Sequence, residues 1–378
     1  MIQQSQISLI AFTPNHQVYY SELVSKLCKA DINVQLYTTK NILDTVKIPS
    51  SVNINICNSK RKFLYLFKQR KKIKSTHLII FDEPYSYDLY LAYYLFIGAK
   101  KILTVHNARQ WFKFSIPSFA GFLKTIHHFL FIKLNVFNNF IVVNPNIKAY
   151  ILDRKRSAHV FFISFGNFSR NVISKKSSFP ISIVIPGMID EKRRDYELII
   201  SVLNSFSDFE IRKKIEFIFL GKPKGKYGEY IISELEDLKT NQGFNIKYFK
   251  QYIAQDLYES LLEQSDFILS NLNAEIYTDY GFKEIYGQTK ETGIASAAIE
   301  YEKPLISAKK DILPEEFRQA VIPFNSKNEL KQVLSEIAEN KISHRSYVLN
   351  YKKAKSDYFK KINVEFENLI EFIRNNTA

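Results

Sequence analysis

Four short stretches of the sequence, each just after an apolar run, carry residues able to handle an anion or a proton. In "LTVHNARQW" (103–111), His106 follows an apolar run directly. An imidazole there can contact a sugar or donate to a phosphate, because its charge is tunable near neutral pH. "FTPNHQVYY" (12–20) offers Asn15, His16 and Tyr19 where a helix should begin, and Asn15 could serve simply as its cap. "IPGMIDEKRRDYELI" (185–199) sets Gly187 ahead of Lys192, Arg193 and Arg194. Glycine lets backbone and ligand approach closely, and arginines beside a helix start suit phosphate oxygens, although a solvated basic turn would look the same. The fourth stretch is "YGQTKETGIASAAIEYEKP" (286–304), with Tyr286, Lys290, Thr292 and Gly293 ahead of a run of Ala, Ser and Ile. A helix starting near Thr292 presents free N–H groups and a positive dipole end. Gly293 removes the side chain that would block an incoming phosphate. Tight packing alone accounts for Ala295, Ala297 and Ala298, but not for the polar lead-in.

Other chemistry is absent from the pattern. There is no G-x-G-x-x-G and no P-loop, which disfavours a dinucleotide or ATP site. There is no Asp-x-Asp and no Cys/His cluster, so the expectation is no metal and no cofactor. A diphosphate bound without a metal needs the compensation that two arginines, Lys290 and a helix N-terminus supply.

The elements that position these stretches alternate in type. Apolar runs at 7–12, 33–39, 76–83, 100–107, 139–145 and 158–166 read as strands. Segments at 15–32, 87–98 and 110–138 have helical spacing. A polar linker, 170–180, leads to a second series: strands at 181–187, 215–223, 245–252, 265–271 and 303–308, with helices at 194–206, 227–243 and 254–264 and a helical tail at 326–376. Continuous apolar strands between helices argue for parallel sheets covered on both faces. The expected fold is α/β, two Rossmann-like doubly wound domains facing a central cleft. Residues 1–172 form the first domain, 181–355 the second, and 356–378 a final helical segment.

With 378 residues and 46% hydrophobic content, the chain is long enough for two cores. Residues 1–180 hold 25 Lys and Arg against 7 Asp and Glu, a net of +18, so the remainder, with 28 against 31, nets −3. No acidic residue lies between Asp88 and Asp153. Such asymmetry points to an anionic partner for the first half. Cys28 and Cys57 make no disulfide framework, which suggests a reducing cytoplasm. The N-terminus reads as a strand, not a signal peptide, and no apolar run has the length of a membrane span. "KRKFLYLFKQRKKIK" (60–74) and "WFKFSIPSFAGFLKTIHHFLFIK" (111–133) mix cations with Phe, Leu and Trp111, which suits an anionic membrane surface.

Taken in order, "ISIVIPGMIDEKRRDYELIISVLN", "IEFIFLGKP", "IKYFKQYIAQDLYESLLEQSDFILSN" and "YGQTKETGIASAAIEYEKPLIS" resemble the GT-B glycosyltransferases. The likeness is to the bacterial family 4 type enzymes of envelope polysaccharide synthesis, and it covers nearly the whole chain. The resemblance implies sugar transfer from a nucleotide-diphosphate sugar to a lipid-linked or glycan acceptor of capsule, O-antigen or exopolysaccharide, at the inner face of the membrane. By it, Arg193 or Arg194 meets the donor phosphates with Thr292 and Gly293, and Tyr252 and Ile253 face the base. His106 lies by the sugar, and Asn15, His16, Tyr19 and Trp111 lie on the acceptor side. One departure stands out. Many members carry two glutamates eight apart before "KPLI", whereas Glu284 and Glu291 are seven apart and Ala297 stands where the second is usual. A nucleotide-sugar epimerase of the same fold and a basic nucleic-acid-binding protein are the alternatives. The lack of a nucleic-acid-binding motif argues against the latter.

Overall fold

The computed structural model describes residues 5–13, 16–116, 118–164, 179–273 and 275–376. The predicted cap Asn15 and most of the predicted linker lie outside them. The chain divides into two compact units. One contains residues up to 164 together with 278–284 and 361–376, and the other contains 179–277 and 285–360.

The first unit runs β1 (Gln6–Ile10), α1 (Gln17–Lys29), β2 (Asn33–Thr38), α2 (Lys40–Leu43), β3 (Asn53–Ile56), α3 (Lys62–Lys74), β4 (Leu78–Phe81), α4 (Tyr87–Tyr94), β5 (Lys101–Val105), α5 (Ala108–Phe112), α6 (Phe119–Lys133), β6 (Asn139–Val142), α7 (Pro145–Arg154) and β7 (His159–Phe162). Its strands form one parallel sheet in the order β3-β2-β1-β4-β5-β6-β7. Central strands such as β4, Leu-Ile-Ile-Phe, are fully buried. Helices on both faces leave such strands no polar side, which is why they read as unbroken apolar runs.

The second unit runs β8 (Ile181–Pro186), α8 (Tyr196–Asn204), α9 (Phe209–Lys214), β9 (Ile215–Leu220), α10 (Gly225–Thr240), β10 (Asn245–Tyr248), α11 (Gln255–Gln264), β11 (Phe267–Ser270), then a two-stranded ribbon, β12 (Glu275–Tyr277) and β13 (Lys283–Ile285). It ends with α12 (Gly293–Glu300), β14 (Leu305–Ser307), β15 (Val321–Pro323), α13 (Lys327–Ala338) and α14 (His344–Asn375). The ribbon tip, 278–284, and the part of α14 from 361 onward belong to the first unit. The second sheet is also parallel, in the order β10-β9-β8-β11-β14-β15. Both sheets therefore reverse direction beside their first strand, at β1/β4 and at β8/β11. Ligands of doubly wound sheets bind outside the strand carboxyl ends at such points.

The expected single amphipathic segment at 110–138 is two helices. Ser118 caps the second of them, its side chain accepting from the Gly121 N–H at 3.0 Å. α6 turns polar groups inward. Its His128 is buried, with Nδ1 2.8 Å from the Gln110 carbonyl and Nε2 2.6 Å from the Tyr90 hydroxyl. A carbonyl only accepts, so Nδ1 carries the proton and Nε2 accepts from Tyr90. Burial drives the His128 pKa down to about 3, so the ring stays neutral. The unfolded chain binds this proton with a pKa of about 6.5, so acid favours unfolding over that window. Stability is expected to fall by about 1.4 kcal/mol per pH unit below about pH 6, from this one group. Urea melts at pH 7 and pH 5 should show the loss. His128→Asn, which keeps a donor for the Gln110 carbonyl, should reduce the difference between the two pH values.

Candidate functional site

In the first unit, the loops after β1, β4 and β5 bring a proton-handling group together. Asp82 is the first residue after β4 and is buried. Its Oδ2 accepts from the Thr13 N–H at 3.2 Å, and its Oδ1 lies 3.3 Å from His16 Nδ1. His106 follows β5, and its ring stacks on His16 with centroids 3.5 Å apart and planes at 25°. Tyr19 stands edge-on to His106 at 5.3 Å, with its hydroxyl 3.5 Å from Thr104 Oγ1. Burial raises the Tyr19 phenol above its ordinary value, so it serves as a neutral hydrogen-bonding group.

Beneath this cluster Glu83 acts as an anchor. It accepts from the N–H of His106 at 2.9 Å, from the N–H and Nδ2 of Asn107 at 3.2 Å each, from Gln110 Nε2, and from Trp111 Nε1 at 2.9 Å. A carboxylate has about four lone-pair sites, and five donors saturate it. The backbone of His106 is thereby fixed. Trp111, expected on the acceptor side, is only 3% exposed, packs on His128, and donates its indole N–H to Glu83, which holds α5 in position.

The nitrogen and oxygen atoms of His16, Asp82 and His106 lie within 4.8 Å of one another, so the fold builds a cluster that no sequence spacing showed. Stacked rings are poorly arranged to share one cation. A metal lying in the plane of one ring would sit about one stacking distance off the plane of the other, whereas imidazole coordinates in its own plane. The geometry suits proton transfer and hydrogen bonding better.

In the second unit, Gly187 follows β8 with φ +109°, a conformation that disfavours any side chain. A Cβ there would collide with Arg194 Nη2, so the guanidinium occupies the space next to the glycine. Arg194 Nη1 is 3.4 Å from the Met188 carbonyl, and its Nε is buried without a hydrogen-bond partner among the described residues. Tyr196 fixes the turn from below, its hydroxyl donating to the Gly187 carbonyl at 2.9 Å. Burial by itself would raise the Asp190 carboxyl, but Lys224 at 3.0 Å and the Lys192 N–H at 2.9 Å hold it below its usual value. Arg193 is exposed, with its carbonyl tied to the Asn273 N–H at 3.0 Å. Tyr286 is buried, which raises its phenol, and Arg193 and Arg194 pull it back down. Ser270 Oγ, at the end of β11, is buried and without a partner among the described residues.

A cavity of about 420 Å³ opens beside Gly187, lined also by Met188, Gly221, Tyr252, Ile253 and Tyr258. Tyr252 is 77% exposed and Ile253 is buried. The structure thus gathers Gly187, Tyr252 and Ile253 around one cavity, packs Arg194 against Gly187, and sets Arg193 and Arg194 near enough to Tyr286 to act on its phenol. Lys290 closes a tight turn with Tyr286, its carbonyl accepting from the Gly287 N–H at 2.9 Å. Thr292 caps α12, its hydroxyl accepting from the Ile294 N–H at 3.3 Å. A Cβ on Gly293 would meet nothing within 4 Å, so the helix start opens onto free space. Ala295, Ala297 and Ala298 are buried behind it. Glu284, the first glutamate of the expected pair, belongs to the first unit, where it caps α5 by accepting from the N–H groups of Arg109 at 3.3 Å and Gln110 at 3.0 Å.

Sequence reasoning missed Asp82, Glu83 and Ser270. "FDEP" (81–84), a pair of acids closing an apolar run in an otherwise basic half, was the signal available for the first two.

Two parallel sheets, both in Rossmann order and with polar clusters at their strand carboxyl ends, define the GT-B fold. No protein-family description and no curated protein matches the sequence. Solved structures do match along the whole chain. A sucrose-phosphate synthase from Thermosynechococcus elongatus aligns with a TM-score of 0.64 at 15% identity, over 98% of this chain and 99% of that one. A glycosyltransferase from Rickettsia africae aligns with a TM-score of 0.65 at 13% identity, over 99% of each chain. The E. coli trehalose-6-phosphate structure bound with UDP-2-fluoro glucose gives 0.60 at 11% identity, over 98% of this chain and 99% of that one. At these identities the likeness establishes the fold.

Proposed function

We propose that the protein is a glycosyltransferase that moves a sugar from a nucleotide-diphosphate sugar to a lipid-linked or polysaccharide acceptor, in capsule, O-antigen or exopolysaccharide synthesis. The observation that carries this reading is the Arg194 guanidinium held against Gly187 beside the cavity of the second unit. A guanidinium with a buried, unpartnered Nε is a donor group arranged for a phosphate. The structure neighbour bound with UDP-2-fluoro glucose supports a nucleotide-sugar donor. Arg193, Arg194 and the α12 start, with Thr292 and Gly293, stabilise the departing diphosphate electrostatically, without a metal. His106 hydrogen-bonds the transferred sugar, and Asp82 orients His16 beside it. The excess of Lys and Arg over Asp and Glu in residues 1–180 supports a position at an anionic membrane surface. Among the described residues no helix is long and apolar enough to cross a membrane.

Purified protein with a panel of nucleotide sugars, with and without EDTA, tests the reaction class. Transfer to glycan or lipid-linked acceptors that persists in EDTA is expected. Activity abolished by EDTA and restored by a divalent metal would contradict the metal-independent reading, and turnover of the donor with no acceptor would indicate an epimerase.

A further inference from the structure

α6 is built inside out. Its inward face carries Lys124, Thr125 and His128 beside Gly121 and Phe131, all buried. Lys124 Nζ lies 3.3 Å from the centroid of the Tyr280 ring, and the Thr125 hydroxyl donates to the Ser115 carbonyl at 2.6 Å. Its outward face carries Phe119 (81% exposed), Leu123 (38%), Ile126 (36%) and Phe129 (48%). The preceding loop adds Phe114 and Ile116, both more than 60% exposed. A surface helix normally shows the reverse pattern, and a contiguous exposed apolar face signals a partner.

Alongside this face lies a cavity of about 300 Å³ whose lining includes Lys113, Phe129, Ile132, Lys133, Arg154 and Lys155, and no acidic residue. Arg154 is shared with Asp153, at 3.0 Å. Among the described residues, Lys155 is held by neutral oxygens, the Asn135 amide at 2.6 Å and the Ile132 carbonyl at 3.3 Å. Burial, and after it the neighbouring Lys133, disfavour its charged form. An anion entering the cavity would relieve that repulsion.

We propose that this cavity binds the phosphate of an anionic membrane lipid while the outward face of α6 enters the bilayer surface. Phe129 belongs to both the cavity and the face, so headgroup and chain are engaged together. A second copy of this chain fits poorly. A two-fold contact would set the same cations against each other, and residues 101–150 contain six Lys and Arg and no acid. The inference deepens the membrane placement proposed above and is independent of the donor site.

The test is sedimentation of the full chain with vesicles of phosphatidylcholine alone and of phosphatidylcholine with phosphatidylglycerol. Binding is expected only to the anionic vesicles. Lys133→Gln should weaken it by about fivefold, since one surface lysine contributes about 1 kcal/mol. Phe119→Ser combined with Phe129→Ser should abolish it, and both sites are exposed enough to leave folding intact. Nucleoside-diphosphate binding by the same variants should not change, so loss of donor binding in wild type with vesicle binding retained would remove only the transferase reading. Equal binding to neutral vesicles, variants that bind like wild type, or inorganic phosphate stabilising the protein without any vesicle binding would each overturn the proposal. So would a dimer in solution that dissociates in the double Phe variant.

Discussion

Arg194→Ala is expected to weaken nucleoside-diphosphate binding by about 10²-fold, which is roughly 2.7 kcal/mol. That magnitude falls within the range for a hydrogen bond to a charged group, which contributes about 1.5–3 kcal/mol. The guanidinium is already in place against Gly187, so little ordering cost is incurred when phosphate arrives. Arg194→Lys should recover only part of the affinity, because a point charge cannot reproduce the planar fork. Arg193→Ala should cost less, since that side chain is exposed. Calorimetry with UDP and other nucleoside diphosphates separates these cases. Unchanged affinity in Arg194→Ala would remove this residue from the donor site. Arg194 is half-buried, and a thermal melt of the apo variant controls for any loss of folding.

His106→Ala is expected to lower kcat by about 10²-fold, the lower end of the range for a positioned proton-handling group, while nucleoside-diphosphate affinity stays near wild type. The two effects separate because His106 belongs to the first unit and the donor cavity to the second. Asp82→Asn should act in the same direction with a smaller effect. It can keep an oxygen facing His16 Nδ1, 3.3 Å away in the wild type, but removes the carboxylate charge from the cluster. Steady-state kinetics with a donor and acceptor pair identified by the transfer assay measures both. A raised KM with unchanged kcat in His106→Ala would mean that the residue only contributes to substrate binding.

The parts of the fold legible in the sequence were those whose side chains face a single environment. β4 and β8 are buried on both faces and read as plain apolar runs. β3, Asn-Ile-Asn-Ile, alternates over only four residues and buries neither isoleucine, so it has no apolar run, and it went unread. In the donor region, Arg194 and Gly187 were legible as residue types, but their contact was not. It depends on a positive φ at Gly187 and on a turn fixed by Tyr196 and Asp190. The cluster of His16, Asp82 and His106 could not be read from spacing, because 66 residues separate the first two and only the sheet order brings their loops together. The bond of Trp111 was illegible for a related reason, since its indole N–H answers a buried acid 28 residues earlier. Helical spacing marked 110–138 as amphipathic. Period alone does not say which stripe turns inward, and in α6 the polar stripe does.

The central claim is that the second unit holds a nucleotide-diphosphate donor without a metal. The most direct measurement is the melting temperature of the purified protein across a panel of nucleotide sugars, in EDTA. A ligand at about 100 times its Kd stabilises by about 2.7 kcal/mol, which for a unit of this size raises Tm by roughly 5–11 °C. At least one nucleotide sugar is expected to produce a shift of that order in wild type, and none in Arg194→Ala. A panel that leaves Tm unmoved, or a shift that appears only when a divalent metal is added, would contradict the account.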